Sequence, residues 1–467
     1  MKKGVILGGW VSHPPFFYPS YLSNTLNTLY NLTNTMTAKI SKMKYITTII
    51  WVLFLSSCQT ASENQITDKK DYDKYLVSSP PKTNSKYFEL WNSKIKPDSS
   101  QLMSFGIVGG EYNRYFQNTG DIRYLKKAEK VLKKAADIAN VSRASMYRAL
   151  ARNYISQHRF KEAKQWADSA NAIGSGLKQT KGLMFDVQME LGNYDTAEKY
   201  LDSLKNRDDF GYLIRLAKWN DHNGDLDTTI RFMEKATEKA ENSKNTGLMV
   251  WSYTHLADYY GHAGRIDESY GHFLKALRID PENAYAKKGI AWIVFSYEKK
   301  PEEAMRILDS VTQYYKSPVY FLLKSEIAEY MGDDMKSVVN LDKYFKLVQD
   351  SAYGDMYNSY NISLYLNDTE QYDKALALAE REVTNRPTPE SYSFLANSYL
   401  KKGDTQKALD IVEEHIEGKT YEPAVLLRTA EIYKATGSTD RVKQLKDELL
   451  GAVYELGPAT EKEIAQL

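Results

Sequence analysis

Residues 250–283 read VWSYTHLADYYGHAGRIDESYGHFLKALRIDPEN. Tyr253, Leu256, Ala257 and Tyr260 recur at i, i+3, i+4 and i+7, the spacing that gathers side chains on one face of a helix. Gly264 stops the pattern, because the left-handed residue that ends a helix is most easily glycine. A second stripe follows at Ser269, Phe273 and Ala276 and closes on Pro281. Two amphipathic helices joined by so short a turn lie antiparallel, and the small residues let their backbones touch. A lone hairpin of this kind leaves apolar surface uncovered, so the stretch predicts neighbours of its own kind.

The neighbours are present. A glycine followed by a polar or turn-forming residue recurs at Gly120, Gly192, Gly224, Gly332, Gly403 and Gly437, and Gly403 and Gly437 lie 34 residues apart. The segment from Pro389 repeats the pattern with Tyr392, Leu395, Ala396, Tyr399, Ala408 and Val412; the segment from Ala144 does so with Tyr147, Leu150, Ala151, Tyr154, Ala163, Ala167 and Ala170. This order of bulky, small and aromatic positions resembles the tetratricopeptide repeat family. The resemblance implies an all-α fold, an α-solenoid wound as a right-handed superhelix of about ten helix-turn-helix units. Units are expected to start near Gly106, Ala144, Lys178, Phe210, Val250, Ala284, Pro318, Met356, Pro389 and Pro423, within an array over 83–457, with 458–467 as a polar capping helix. Extra residues at Arg123 to Lys127 and Glu241 to Asn245, and Lys181 and Phe185 in place of a bulky and a small residue, depart from the motif.

The chain has 467 residues, 42% hydrophobic and 26% charged, with 62 basic against 60 acidic side chains and a formal charge of +2. So even a balance supplies no field for nucleic acid or an anionic membrane surface, and the Lys126 to Lys134 run reads as a solvated helix face. Cys58 is the one cysteine, so no intrachain disulfide or cysteine metal cluster can form. Its setting is that of a secretory signal over 43–57: Lys42 and Lys44, an apolar run from Ile46 to Leu55, then Ser56 and Ser57. A run of that length falls short of the roughly 20 residues that cross a bilayer. Leu55-Ser56-Ser57-Cys58 resembles the lipobox of bacterial lipoproteins, which implies lipidation (palmitate or a related acyl chain) at Cys58 and a membrane link through that anchor only. Residues 1–42 are then an upstream leader or a mis-extended start, and 58–82, rich in polar residues and carrying Pro80-Pro81, reads as a flexible tether.

Few residues suggest chemistry. Asp221, Asn223, Asp225 and Asp227 alternate like calcium ligands, but the sixth and twelfth positions are Leu226 and Phe232 where an EF-hand needs Gly and Glu. His255, Asp258 and His262 share one helix face, yet a polar groove explains them without a metal. There is no nucleophile-elbow motif and no phosphate-cradling glycine loop. The expectation is therefore a non-enzymatic protein with no cofactor and no metal.

In this family the first helix of each hairpin presents its remaining face to a concave groove. Those positions hold Arg114, Arg148, Arg152, Arg215 and Lys218 toward the N-terminus, then Trp251, His255, Asp258, His262, Tyr285 and Trp292, with Phe295, Tyr357 and Tyr360 beyond. Guanidinium groups pair with carboxylates and aromatic faces stack, so the groove suits a protein or peptide bearing an anionic group. The function expected is a protein-binding scaffold lipoprotein of the bacterial cell envelope. A glycan-binding outer-membrane lipoprotein, or an accessory subunit of an envelope enzyme complex, are the alternatives. Because these positions point into the groove and bury no apolar stripe, replacing Arg148, Arg152 and Arg215 together with Ala should weaken partner binding while barely altering stability.

Overall fold

The computed structural model describes residues 65–77, 85–96 and 100–467; the signal at 43–57 and Cys58 lie outside them. Short helices α1 (Lys69–Tyr72) and α2 (Lys86–Asn92) precede ten helical hairpins. Their helix pairs are α3 (Leu102–Thr119) with α4 (Ile122–Ile138), α5 (Arg143–Ser156) with α6 (Phe160–Ile173), α7 (Leu177–Glu190) with α8 (Tyr194–Asp202), α9 (Phe210–His222) with α10 (Leu226–Ser243), and α11 (Thr246–His262) with α12 (Ile266–Ile279). The array continues with α13 (Ala284–Trp292) and α14 (Pro301–Thr312), α15 (Pro318–Tyr330) and α16 (Asp334–Val348), α17 (Asn358–Asn367) and α18 (Tyr372–Asn385), α19 (Pro389–Lys401) and α20 (Thr405–His415), and α21 (Pro423–Ala435) and α22 (Thr439–Gly451). Helices α23 (Val453–Leu456) and α24 (Thr460–Gln466) end it, and among the described residues there is no strand.

The recurrent Gly-Asp pair explains why the hairpins turn where they do. Gly224, Gly332 and Gly403 have φ of 76°, 73° and 88°, the left-handed region that closes the first helix. The next residue, Asp225, Asp333 or Asp404, accepts a hydrogen bond from the N–H three residues on and so caps the second helix. Each such cap contributes about 1 kcal/mol.

Within hairpins the small residues sit where expected, with Ala151, Ala257, Ala276 and Ala396 buried. The tightest approach is at Gly289 of α13, where a Cβ would lie 2.2 Å from Cζ of the buried Phe273 on α12. Gly289→Val should therefore cost about 3 kcal/mol, since neither ring nor helix can yield without reopening the core. Urea denaturation would measure this, and because each hairpin contacts mainly its neighbours, hydrogen exchange should accelerate in α11 to α14 first. An unchanged midpoint would show that Phe273 moves aside freely.

The array winds far enough to meet itself. Lys316 N–H donates to Thr119 O at 2.7 Å, Gly192 packs against the Pro387 carbonyl, and Gly224 packs against the Tyr421 ring. Gly120 and Ser317, like Gly224 and Tyr421, stand 197 positions apart, so one superhelical turn closes at nearly constant spacing. Arg386 is the clasp: its guanidinium, 7% exposed, lies 3.0 Å from Glu190 on the previous turn and 3.7 Å from both Glu382 and Glu390.

The regular stacking lapses once. After α16 the chain passes through a short 3₁₀ turn, Ser351–Tyr353, and Tyr353 and Met356 pack on Ile122 and Leu125 of α4 instead of continuing the stack. Helices α16 and α17 then meet through large rings, with Tyr344 edge-on to Tyr357 at 6.2 Å and Phe345 stacked on Tyr365 at 6.4 Å.

Residues 65–77 correct the expectation of a flexible tether through 82. They form a strap against α12 and α14: Glu298 accepts from Ile66 N–H at 2.9 Å and Thr67 N–H at 2.6 Å, and buried Tyr72 donates to Glu303 at 2.9 Å. Burial would raise Glu303, but Arg306, Lys69 and Tyr72 hold its carboxyl at about 2. The composition of the segment is polar, yet Tyr72 is buried in the core with Ile66, Tyr75 and Leu76 packed beside it, and the two N–H groups find a buried carboxylate.

Candidate functional site

The first helices of successive hairpins approach one another, α3 with α5, α7 with α9 and α19 with α21, and so form the inner wall of the coil. The groove they line has three parts.

In the N-terminal part, Arg114 on α3 pairs with Glu111 on its own helix and is exposed. Arg148 is nearly buried and donates to Ser175 O at 3.0 Å and Thr180 Oγ1 at 3.1 Å, tying α5 to the next hairpin. Arg215 grips Asp186 through two bonds of 2.9 and 2.6 Å and also donates to Gly182 O and Gly211 O. Burial pushes the Asp186 carboxyl up against the pull of that guanidinium. Lys218 lies 2.9 Å from Glu190, which it shares with Arg386. Arg148 and Arg215 are thus cross-links between hairpins, and the expectation that they can be removed at little cost in stability is corrected: truncating Arg215 would strand a buried carboxylate. Arg152, one helical turn after Arg148, differs. It is half-buried, and its guanidinium has no hydrogen-bond or ion-pair partner among the described residues. Burial, with Arg215 and Arg148 adding repulsion against a weaker pull from Asp186, brings it down to about 10.

In the middle part, Trp251 and His255 stack at 4.0 Å, and Tyr285 lies parallel to the imidazole at 6.3 Å. His255 Nδ1 is 2.8 Å from Trp251 O, and burial lowers the imidazole to about 4, so it is neutral. Its Nε2 and Trp251 Nε1 have no partner among the described residues. Asp258 accepts from Tyr285 at 2.7 Å, while His262 turns toward Glu455 at 3.7 Å. The shared helix face therefore does not bring His255, Asp258 and His262 together.

The third part is filled by the chain itself. Helix α13 continues as a π-helical segment, Ile293–Tyr297, which brings Trp292 and Ser296 to one side. Trp292 Nε1 and Ser296 Oγ both donate to Tyr454 O, at 3.1 and 2.7 Å. Tyr454 and Glu455 of α23 enter a pocket lined by Asp258, His262, Tyr285, Lys288 and Trp292. Burial raises Asp221 and Asp258 to about 6 and Glu422 to about 8 around this plug; burial alone would lower His262, but Glu455, Asp221 and Asp258 raise it instead. Phe295 is wholly buried in the core, and Tyr357 and Tyr360 belong to the α16–α17 joint. Sequence reasoning missed the plug, because Val453-Tyr454-Glu455-Leu456 is too short to show a period; the Gly457-Pro458 break behind it was its one mark.

The sequence model described as tetratricopeptide repeat matches residues 252–283, within the hairpin of α11 and α12. Solved structures with a similar course include a tetratricopeptide repeat protein from Parabacteroides merdae (14% identity, 55% of this chain and 97% of that one, TM-score 0.32). Yeast Tom70 aligns at 12% identity over 85% of this chain and 95% of its own with a TM-score of 0.38, and PilW, a type IV pilus biogenesis factor, at 17% over 53% and 96% with 0.23. No curated protein sequence matches the chain. The ten hairpins and the matched repeat define an α-solenoid. Within that solenoid, the hairpin of α11 and α12 carries a tetratricopeptide repeat.

Proposed function

We propose that the array is a non-enzymatic scaffold of the bacterial cell envelope, lipid-anchored through Cys58, that holds a protein or peptide by an anionic group in the N-terminal part of its groove. The observation that carries the binding site is Arg152. Every other N-terminal groove cation named above is engaged with the protein's own acceptors, whereas the Arg152 guanidinium faces the groove without one among the described residues and beside two further arginines. A carboxylate or phosphate supplied from outside would relieve that repulsion and take the fork-shaped donor set. The plug closes the part of the groove around Trp292.

Titration of a partner recovered from envelope extracts tests the reading. Arg152→Ala should weaken binding by about 1.5–3 kcal/mol, the worth of a hydrogen bond to a charged group, and leave the thermal midpoint the same or higher. Salt should weaken binding to the wild type more than to the variant, since screening acts over roughly 10 Å at 0.1 M. Equal affinities for both proteins would remove Arg152 from the interface.

A further inference from the structure

The irregular joint between α16 and α17 leaves a cleft. It is lined by Leu322, Glu326 and Glu329 of α15, Leu341 of α16, and Leu364 and Asp368 at the end of α17. Glu326 is 5% exposed, and neither of its carboxylate oxygens has a hydrogen-bond partner among the described residues; Asp368 Oδ2 has none either. Two other buried acids of the array are answered by contrast, Glu298 by two N–H groups and Glu303 by Tyr72 and Lys69. Two unanswered acids at one cleft are a standing cost in stability, which a cation would offset. The groups facing them are acidic too: Glu329 on α15, and Glu463 on α24 with Lys401 beyond it.

The cleft's outer edge is apolar. Met335, Val338 and Leu341 follow one another at i, i+3 and i+6 along α16, and Met335, Val338 and Val339 are 80%, 60% and 47% exposed. The ring contacts with Tyr357 and Tyr365 fall at Tyr344 and Phe345, nearer the C-terminal end of α16, and Met335, Val338 and Val339 stay bare. The enclosed space is about 10 Å³, room for one water-sized group. An ammonium head is of that size; a planar guanidinium is larger.

We propose that this cleft is a second docking site, receiving the ammonium group of a lysine side chain on a partner segment whose apolar residues cover Met335, Val338 and Val339. The leucines of the cleft wall take the aliphatic stem, and Glu326 and Asp368 take the head. Burial now holds Glu326 well above the usual carboxylate range and Asp368 at about 8, and an ammonium between them stabilises the ionised forms. The site is separate from Arg152 in place and in sign of charge, so either can stand without the other.

The test uses the full chain and three blocked heptapeptides, each with leucine and valine flanking a central lysine, Nε-acetyl-lysine or arginine. The lysine peptide should bind about tenfold or more tighter than the other two, the effect of one charge-assisted contact. Glu326→Gln with Asp368→Asn should abolish that preference, and Val338→Asp should weaken all three peptides alike. Amide replacement removes unanswered acids, so the double variant should melt no lower than the wild type. In the wild type itself, the methyl resonances of Leu322, Leu341 and Leu364 should shift with the lysine peptide. Equal binding of the three peptides, undiminished lysine preference in the double variant, or no saturable binding with unmoved methyl resonances would each overturn the proposal.

Discussion

Arg386→Met is expected to destabilise the protein by about 3–5 kcal/mol, the cost of removing one member of a buried ionic cluster and leaving the others uncompensated. The cluster is Glu190, Glu382 and Glu390 around one guanidinium, with Phe160 under its face at 5.1 Å. Burial alone would lower Arg386, and the three carboxylates raise it instead, so both sides of the contact depend on it. Glu382 also takes Asn358, and Glu190 keeps Lys218, but Glu390 Oε1 already has no hydrogen-bond partner among the described residues. The variant should also lose the contact between superhelical turns, so small-angle scattering should report a larger radius of gyration before unfolding begins. Urea denaturation gives the energy. A loss below about 1 kcal/mol would place Arg386 among surface pairs, whose worth is that small.

Cys58→Ser should move the protein from the membrane to the soluble fraction and end its labelling by fatty acid. The reasoning is the transfer energy of an acyl chain, about 0.8 kcal/mol for each buried CH₂, which serine cannot carry. Among the described residues no helix is long and apolar enough to cross a membrane, so the array offers no helical span in its place. The same far-UV spectrum is expected from both proteins, because the hairpins are built from residues well beyond the anchor. A serine variant that still sediments with membranes and takes label would end the lipoprotein reading.

The hairpins were legible because each is specified within about 34 residues: the stripe at Tyr253, Leu256, Ala257 and Tyr260, the turn at Gly264 and the stop at Pro281 act on neighbours in sequence. The closure of the coil was not, since Arg386 meets Glu190 across 196 positions and no period announces such a pairing. The same limit governs the groove. Arg148, Arg152 and Arg215 occupy similar positions on their helices, and only the placement of Thr180 and Asp186 separates the two that are tied down from the one that is not. The strap at 65–77 was hidden for another reason: polar composition describes a segment's average, whereas a few residues, Tyr72, Ile66, Tyr75 and Leu76 with two backbone N–H groups, fix it to the core.

That strap decides where mechanical load enters. A pull on the chain ahead of Gln65 arrives first at Glu298 and Glu303, near the middle of the array, rather than at α3. With Tyr72 in place, the hairpins from α3 to α10 lie off the direct path of tension, and Arg386 ties the loaded hairpins back to them through Glu190, so the whole resists as a lashed coil instead of paying out like a spring.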